Sequence, residues 1–215
     1  MRLDDIAARV TTWLRQSPGS NGLYTSAELS AVAVNDAQLQ VCIDTNVLKR
    51  FGVVNTVSGT YRYALSASTT CPDLLSIYRV SYDDRQLFPA RPDSPSFSYS
   101  SDRTTGTPYQ YRIWNNFIEL DHTPTESKEL RVMYSARPVQ LSAASMEPEI
   151  PPEYQQAMIF YACALLSTKD EKEMRYNSFY LKYSNIIKRL WGEAQGFDSG
   201  AVIPLDPMTI SSRRH

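Results

Sequence analysis

The spacing of apolar residues changes period twice along this chain, and that double switch limits the available folds more than any single motif. Residues 2–16 place Leu3, Ile6, Val10, Trp13 and Leu14 three or four apart, as in a helix with one buried face, and Pro18-Gly19 stops the pattern. Thr25 and Ser26 ahead of Glu28 make an N-cap arrangement. Leu29, Val32, Ala33, Leu39, Ile43, Val47 and Leu48 then predict one helix or two short ones, ending before Gly52. Beyond Gly52 the period drops to two: Val57, Tyr61, Tyr63 and Leu65 alternate with polar neighbours, with Ser58-Gly59 as a turn. Leu75, Ile77, Val80 and Tyr82 repeat the alternation around a bulge, and Asp83-Asp84 and Asn115-Asn116 read as hairpin turns. With Leu130, Val132 and Tyr134 on one face of a last run, this predicts a small antiparallel sheet of about five or six strands.

The helical period returns at Pro151-Pro152, where Pro152 suits a first helical turn and Glu153 the positive end of the helix dipole. Ala157, Phe160, Tyr161, Ala164 and Leu165 form an apolar face. Lys169 to Lys172 make a polar joint, and Met174 to Trp191 carry a second helix to about Ala194. The predicted fold class is α+β: a helical bundle body with an inserted antiparallel β lobe and an extended C-terminal tail. The segments are 1–52 (N-terminal helices), 53–145 (β lobe), 146–195 (C-terminal α-hairpin) and 196–215 (tail). Between Pro89 and Pro108 lies a Pro/Ser/Thr-rich connection of about twenty residues, longer than an ordinary loop.

Composition narrows the function classes. With 22 Lys+Arg against 23 Asp+Glu and a net charge of -1, a general nucleic-acid coat is not expected. The 2 histidines, His122 and His215, nearly remove the commonest general base and metal ligand. The 3 cysteines, Cys42, Cys71 and Cys163, are widely spaced and form no Cys-x-x-Cys pair, so they are expected to be reduced and buried. The N-terminus carries Asp4 and Asp5 and no apolar run, which predicts no signal peptide, and no window reaches the roughly 20 apolar residues of a membrane span. A soluble, non-enzymatic protein without metal or cofactor is the expectation.

No glycine-rich phosphate loop, nucleophile elbow or paired-histidine zinc motif is present. Asp83-Asp84 is a turn former before it is a carboxylate pair. Asp121-His122 could be a base with its orienter, but neighbours on a strand point to opposite faces, so a strand-end loop is expected. Glu147, Glu149 and Glu153 could hold a cation or serve as helix N-terminal acids. Tyr78, Arg79, Tyr109, Tyr111 and Arg112 interleave cations with rings as base-stacking sheets do, although the balanced charge opposes that use. The stripe Tyr176, Tyr180, Tyr183 with Trp191 fits either packing of the α-hairpin or a subunit interface. The tail, with Phe197, Val202, Ile203, Leu205, Met208 and Ile210 before Arg213 and Arg214, is too apolar for a solvated terminus and suits ordering on a partner.

Four stretches, in this order, resemble the head-to-tail adaptor (connector) family of tailed bacteriophages, in particular the larger adaptors of short-tailed phages. They are GTYRYALSASTTCPDLLSIYRVSYDDRQL; TPYQYRIWNNFIELDHTPTESKELRVMYSARPVQLS; EIPPEYQQAMIFYACALL; and DEKEMRYNSFYLKYSNIIKRL. Matched positions include Tyr109, Leu120, Pro124, Tyr134, Pro138, Leu141, Pro151, Tyr154 and Tyr161, and the likeness spans about residues 26 to 195. The resemblance implies a structural virion protein, assembled in the host cytoplasm into a dodecameric ring beneath the portal. Such a ring extends the channel for double-stranded DNA without sequence-specific binding and offers a platform to tail tube, nozzle or fibre proteins. It further implies a helical body around the channel, an outward β lobe, and a C-terminal segment docked on the portal protein. A glycan- or ligand-binding module using the Tyr-rich lobe and Trp114 is the alternative, and an acid/base hydrolase using the carboxylates above ranks last.

Overall fold

A computed structural model of the chain describes residues 1–19, 24–65, 70–91, 97, 103–170 and 173–198, and for 170, 173 and 192–198 the backbone alone. Within these residues the chain is mixed α/β, with four α-helices and a seven-stranded sheet. Helix α1 (Leu3–Leu14) buries Leu3, Ile6, Val10 and Leu14. It ends at Arg15, whose φ of 54° lets its N–H reach the carbonyls of Thr11 and Thr12 before Pro18.

The predicted cap at Thr25 is present. Thr25 N–H donates to the Glu28 carboxylate at 2.8 Å, and Glu28 N–H donates to Thr25 Oγ1 at 3.2 Å. A wide π-helical turn, Glu28–Ala33, leads into α2 (Val34–Thr45). The helix stops earlier than its periodicity suggests. Asn46 adopts φ 51° and closes the last turn onto the Cys42 carbonyl, a left-handed cap that asparagine tolerates better than most residues. The next residues form β1 (Lys49–Asn55), so Gly52 lies inside a strand and not at a helix end.

The other strands are β2 (Arg62–Ala64), β3 (Leu74–Tyr82), β4 (Arg85–Pro89), β5 (Gln110–Trp114), β6 (Phe117–Leu120) and β7 (Glu129–Ala136), in the order β1-β7-β3-β4-β5-β6-β2. Both predicted two-residue turns are real: Asp83 and Asp84 have φ 48° and 61°, Asn115 and Asn116 46° and 64°. Paired positive φ gives the type I′ twist that matches a hairpin, and Asp and Asn accept it. The predicted bulge in β3 also exists, as register shifts between Leu74 and Ser76 and between Ile77 and Arg79 against β7.

The expectation of a purely antiparallel sheet is corrected. β4 and β5 pair in parallel, Phe88 opposite Gln110 and Pro89 opposite Tyr111. The Pro/Ser-rich connection between them makes this possible, because parallel neighbours need a crossover of a dozen residues or more.

Helix α3 (Pro152–Ser167) begins on Pro152 as predicted, and a 3-10 turn, Thr168–Asp170, precedes α4 (Glu173–Asp198). α4 runs past Ala194, so Phe197 belongs to its last turn and the predicted boundary at 196 falls inside the helix. No helix among the described residues is long and apolar enough to cross a membrane.

Two apolar cores follow. One gathers the helices through Ile6, Val10, Val34, Val41, Met158 and Cys163; the other lies under the sheet at Leu65, Val80, Leu87, Ile118, Leu130 and Val132. Leu48, between α2 and β1, packs against both. The same junction holds an ion network. Arg50 pairs with Asp73 and, at 2.8 Å, with Glu149, and Tyr134 donates to Asp73 at 2.8 Å.

Candidate functional site

The aromatic stripe of α4 is divided by its environment. Tyr183 is 2% exposed and donates its hydroxyl to the Asp44 carboxylate of α2, so it is a core residue. Burial, followed by the adjacent Asp44 carboxylate, holds its phenol well above the usual tyrosine range. Tyr176 is half-buried against the helical core and stacks on Tyr180 with centroids 5.7 Å apart. Tyr180 and Trp191 stay 44% and 41% exposed, alongside exposed Met174 and Leu181. Of the predicted interface residues, then, Tyr180 and Trp191 reach solvent while Tyr183 and much of Tyr176 serve packing. Tyr161 of α3 joins the cluster, 4.9 Å from Tyr183. Phe197 falls where only backbone is described, and Val202, Ile203, Leu205, Met208, Ile210, Arg213 and Arg214 lie outside the described residues.

The strands also carry exposed apolar side chains, on both faces of the sheet, since Ile113 and Trp114 are consecutive on β5. Phe51 and Val53 on edge strand β1, with Phe88, Ile113 and Trp114 on β4 and β5, are exposed large side chains. Arg131 lies over the Phe51 ring at 5.9 Å and Arg112 over the Trp114 ring at 5.7 Å, whereas Phe88 and Ile113 stand in solvent.

A buried charge cluster, missed in the sequence, joins β2, β5 and β6. Glu119 on β6 is 5% exposed and faces three guanidinium groups. Arg112 Nε donates to it at 2.7 Å, Arg103 Nη2 at 3.1 Å, and Arg62 Nε lies 3.5 Å away. Arg103 also donates to the Leu120 carbonyl and lies over the Tyr61 ring, 4.0 Å from its centroid. Phe97, itself buried, touches both Arg103 and Arg112. Phe97 and Arg103 come from the Pro/Ser-rich connection, and the cluster fastens these two residues to β5 and β6. The Arg112–Glu119 pair could have been found by counting outward from the Asn115-Asn116 turn; nothing local points to Arg103.

Three of the carboxylate candidates have partners within the fold. Asp83 sits 3.5 Å from Lys128, just before the neighbouring β7, and Glu149 staples Arg50 and accepts from Val139 N–H at 3.0 Å. Asp121 and His122 occupy the predicted strand-end bend. Off the strand, the backbone turns the two side chains together: Asp121 Oδ2 lies 3.0 Å from His122 Nδ1. Asp121 Oδ1 meanwhile accepts from the N–H groups of Tyr109 and His122, and the His122 ring packs on Tyr109 at 5.2 Å. Among the interleaved residues, Tyr111 is buried and Tyr109 exposed, so they do not form one stacking platform. Among the described residues no group of three or more His, Cys, Asp or Glu could hold a metal ion. All three cysteines are free and buried, and burial pushes their thiols up, to about 12 at Cys42, about 11 at Cys71 and about 12 at Cys163.

No protein-family model matches this chain, and no curated protein matches it.

Proposed function

We propose that this chain is a head-to-tail adaptor of a tailed bacteriophage, a structural ring protein at the junction of head and tail. The observation that carries the reading is the exposure of large apolar side chains on both the helices and the sheet, Met174, Tyr180, Leu181 and Trp191 on α4 and Phe51, Phe88, Ile113 and Trp114 on the strands. A ring closes through head-to-tail contacts, in which each subunit offers two different patches, and it must still present a surface to its partners. The motif order from about residue 26 to 195 supports the same reading. On this view the helical elements form a body, the strands an inserted lobe, and the C-terminal segment a dock for the portal protein. The ring is dodecameric, forms in the host cytoplasm and encloses double-stranded DNA without gripping it, consistent with a net charge of -1.

The test is assembly. The full-length chain, mixed with its purified portal ring, should co-elute as a stoichiometric ring-on-ring complex and appear beneath the portal by electron microscopy. A chain that stays monomeric and unbound overturns the proposal. Removing residues 197–215 should abolish portal binding at unchanged helical content; unchanged binding overturns the docking role of that segment.

A further inference from the structure

The sheet is split. Among the described residues, β4 pairs with β3 only over Val80, Ser81 and Tyr82, and with β5 only at Phe88 and Pro89. β4 therefore crosses from one half to the other and ends, and its last residue explains why. Pro89 has no N–H to donate, so β4 cannot prolong the β3 ladder. The last rung is Ala90 N–H to the Tyr111 carbonyl at 2.8 Å. Past that point, among the described residues, Leu74 to Arg79 of β3 have strand pairing only toward β7, and Arg112 to Trp114 of β5 only toward β6.

Between these two edges runs a groove of about 380 Å³, lined by Ile77, Arg79, Leu87, Tyr111, Arg112 and Ile113 among others. Unpaired edges are liabilities that proteins usually cover or blunt, and edges with apolar pockets beside them are how sheets capture extended peptides. The charge of the lining is one-sided, with two arginines and no carboxylate. Arg112 already spends its Nε on Glu119. Arg79 is exposed and has no ion-pair partner among the described residues.

We propose that this groove receives an acidic, extended segment of a partner protein, which continues the line of β4 as an added strand. The added backbone pairs with β3 or β5, an apolar side chain fills the space between Ile77 and Ile113, and a carboxylate meets Arg79. The proposal stands on the sheet alone and does not require ring assembly.

Hydrogen exchange on the full-length chain tests it, with a soluble peptide of alternating valine and glutamate as the probe and its valine–lysine counterpart as the control. The acidic peptide should slow exchange by about tenfold or more at residues 74–79 or 112–114. The Arg79→Glu variant should weaken that binding by about tenfold, and Arg79→Gln by less, with thermal stability unchanged in both. The proposal is overturned by an absence of protection at those residues, by protection elsewhere only, by equal response to both peptides, or by an unaffected Arg79→Glu variant.

Discussion

The phenol of Tyr183 on α4 donates to the carboxylate of Asp44 at the end of α2, joining residues 139 apart in sequence. Asp44 is exposed and Tyr183 buried, so the bond sits at the rim of the helical core. Tyr183→Phe should keep the packing and lose the bond, costing about 1 kcal/mol in urea unfolding because water can take over Asp44. The pH dependence follows from the raised phenol. The folded state holds this proton to higher pH than the unfolded chain, so stability is full below about pH 10 and falls as pH rises beyond it. The Phe variant should show a shallower alkaline decline, measured by unfolding midpoints between pH 8 and 11.

Glu119 neutralises a cluster that would otherwise hold three guanidinium groups near one another with little water. Glu119→Ala should therefore destabilise by about 3–5 kcal/mol, the range for stripping one partner from a buried ion pair. Arg62→Ala should cost far less, about 0–1 kcal/mol, because that side chain is 41% exposed. Comparable losses for the two would show that Glu119 is not the hub. Arg103→Ala should also raise proteolytic cleavage near residue 103, since it removes the bonds that hold Arg103 to β6.

Gly52 is needed for a contact and not for a turn. A Cβ there would stand 1.8 Å from the Thr70 carbonyl oxygen and 2.9 Å from Cys71 Sγ. Because the nearest obstacle is backbone, Gly52→Ala should lower stability by about 3 kcal/mol, the upper end for overpacking, and disturb the neighbouring loop. A thermal melt matching the parent would contradict the close approach.

The three thiols should be silent in the native protein. With values near 11 to 12, at most about one in a thousand is thiolate at pH 8, and all are buried. A colourimetric thiol reagent should label none in buffer and all three in denaturant. Rapid labelling of one in buffer would mean that its core opens locally.

Wherever a decision was local, the sequence alone made it. The change from a spacing of three or four to a period of two and back places the helices and most strands, because burying one face of each element requires that spacing. Asp83-Asp84 and Asn115-Asn116 set their hairpins because few other residues accept two successive positive φ values. From the second turn alone the register puts Arg112 opposite Glu119. What the periodicity could not settle was where apolar residues change masters. Val47 and Leu48 continue a helical pattern, yet Asn46 breaks the helix and the chain enters β1, a strand that is stable only because β7 lies beside it. The parallel pairing of β4 and β5, the fastening of Arg103 and Phe97 over β6, the split edge beside Arg79, and the division of the tyrosine stripe into core and surface were decided by tertiary structure. Each depends on which segment arrives next to which across tens of residues, and neither local propensity nor spacing carries that information.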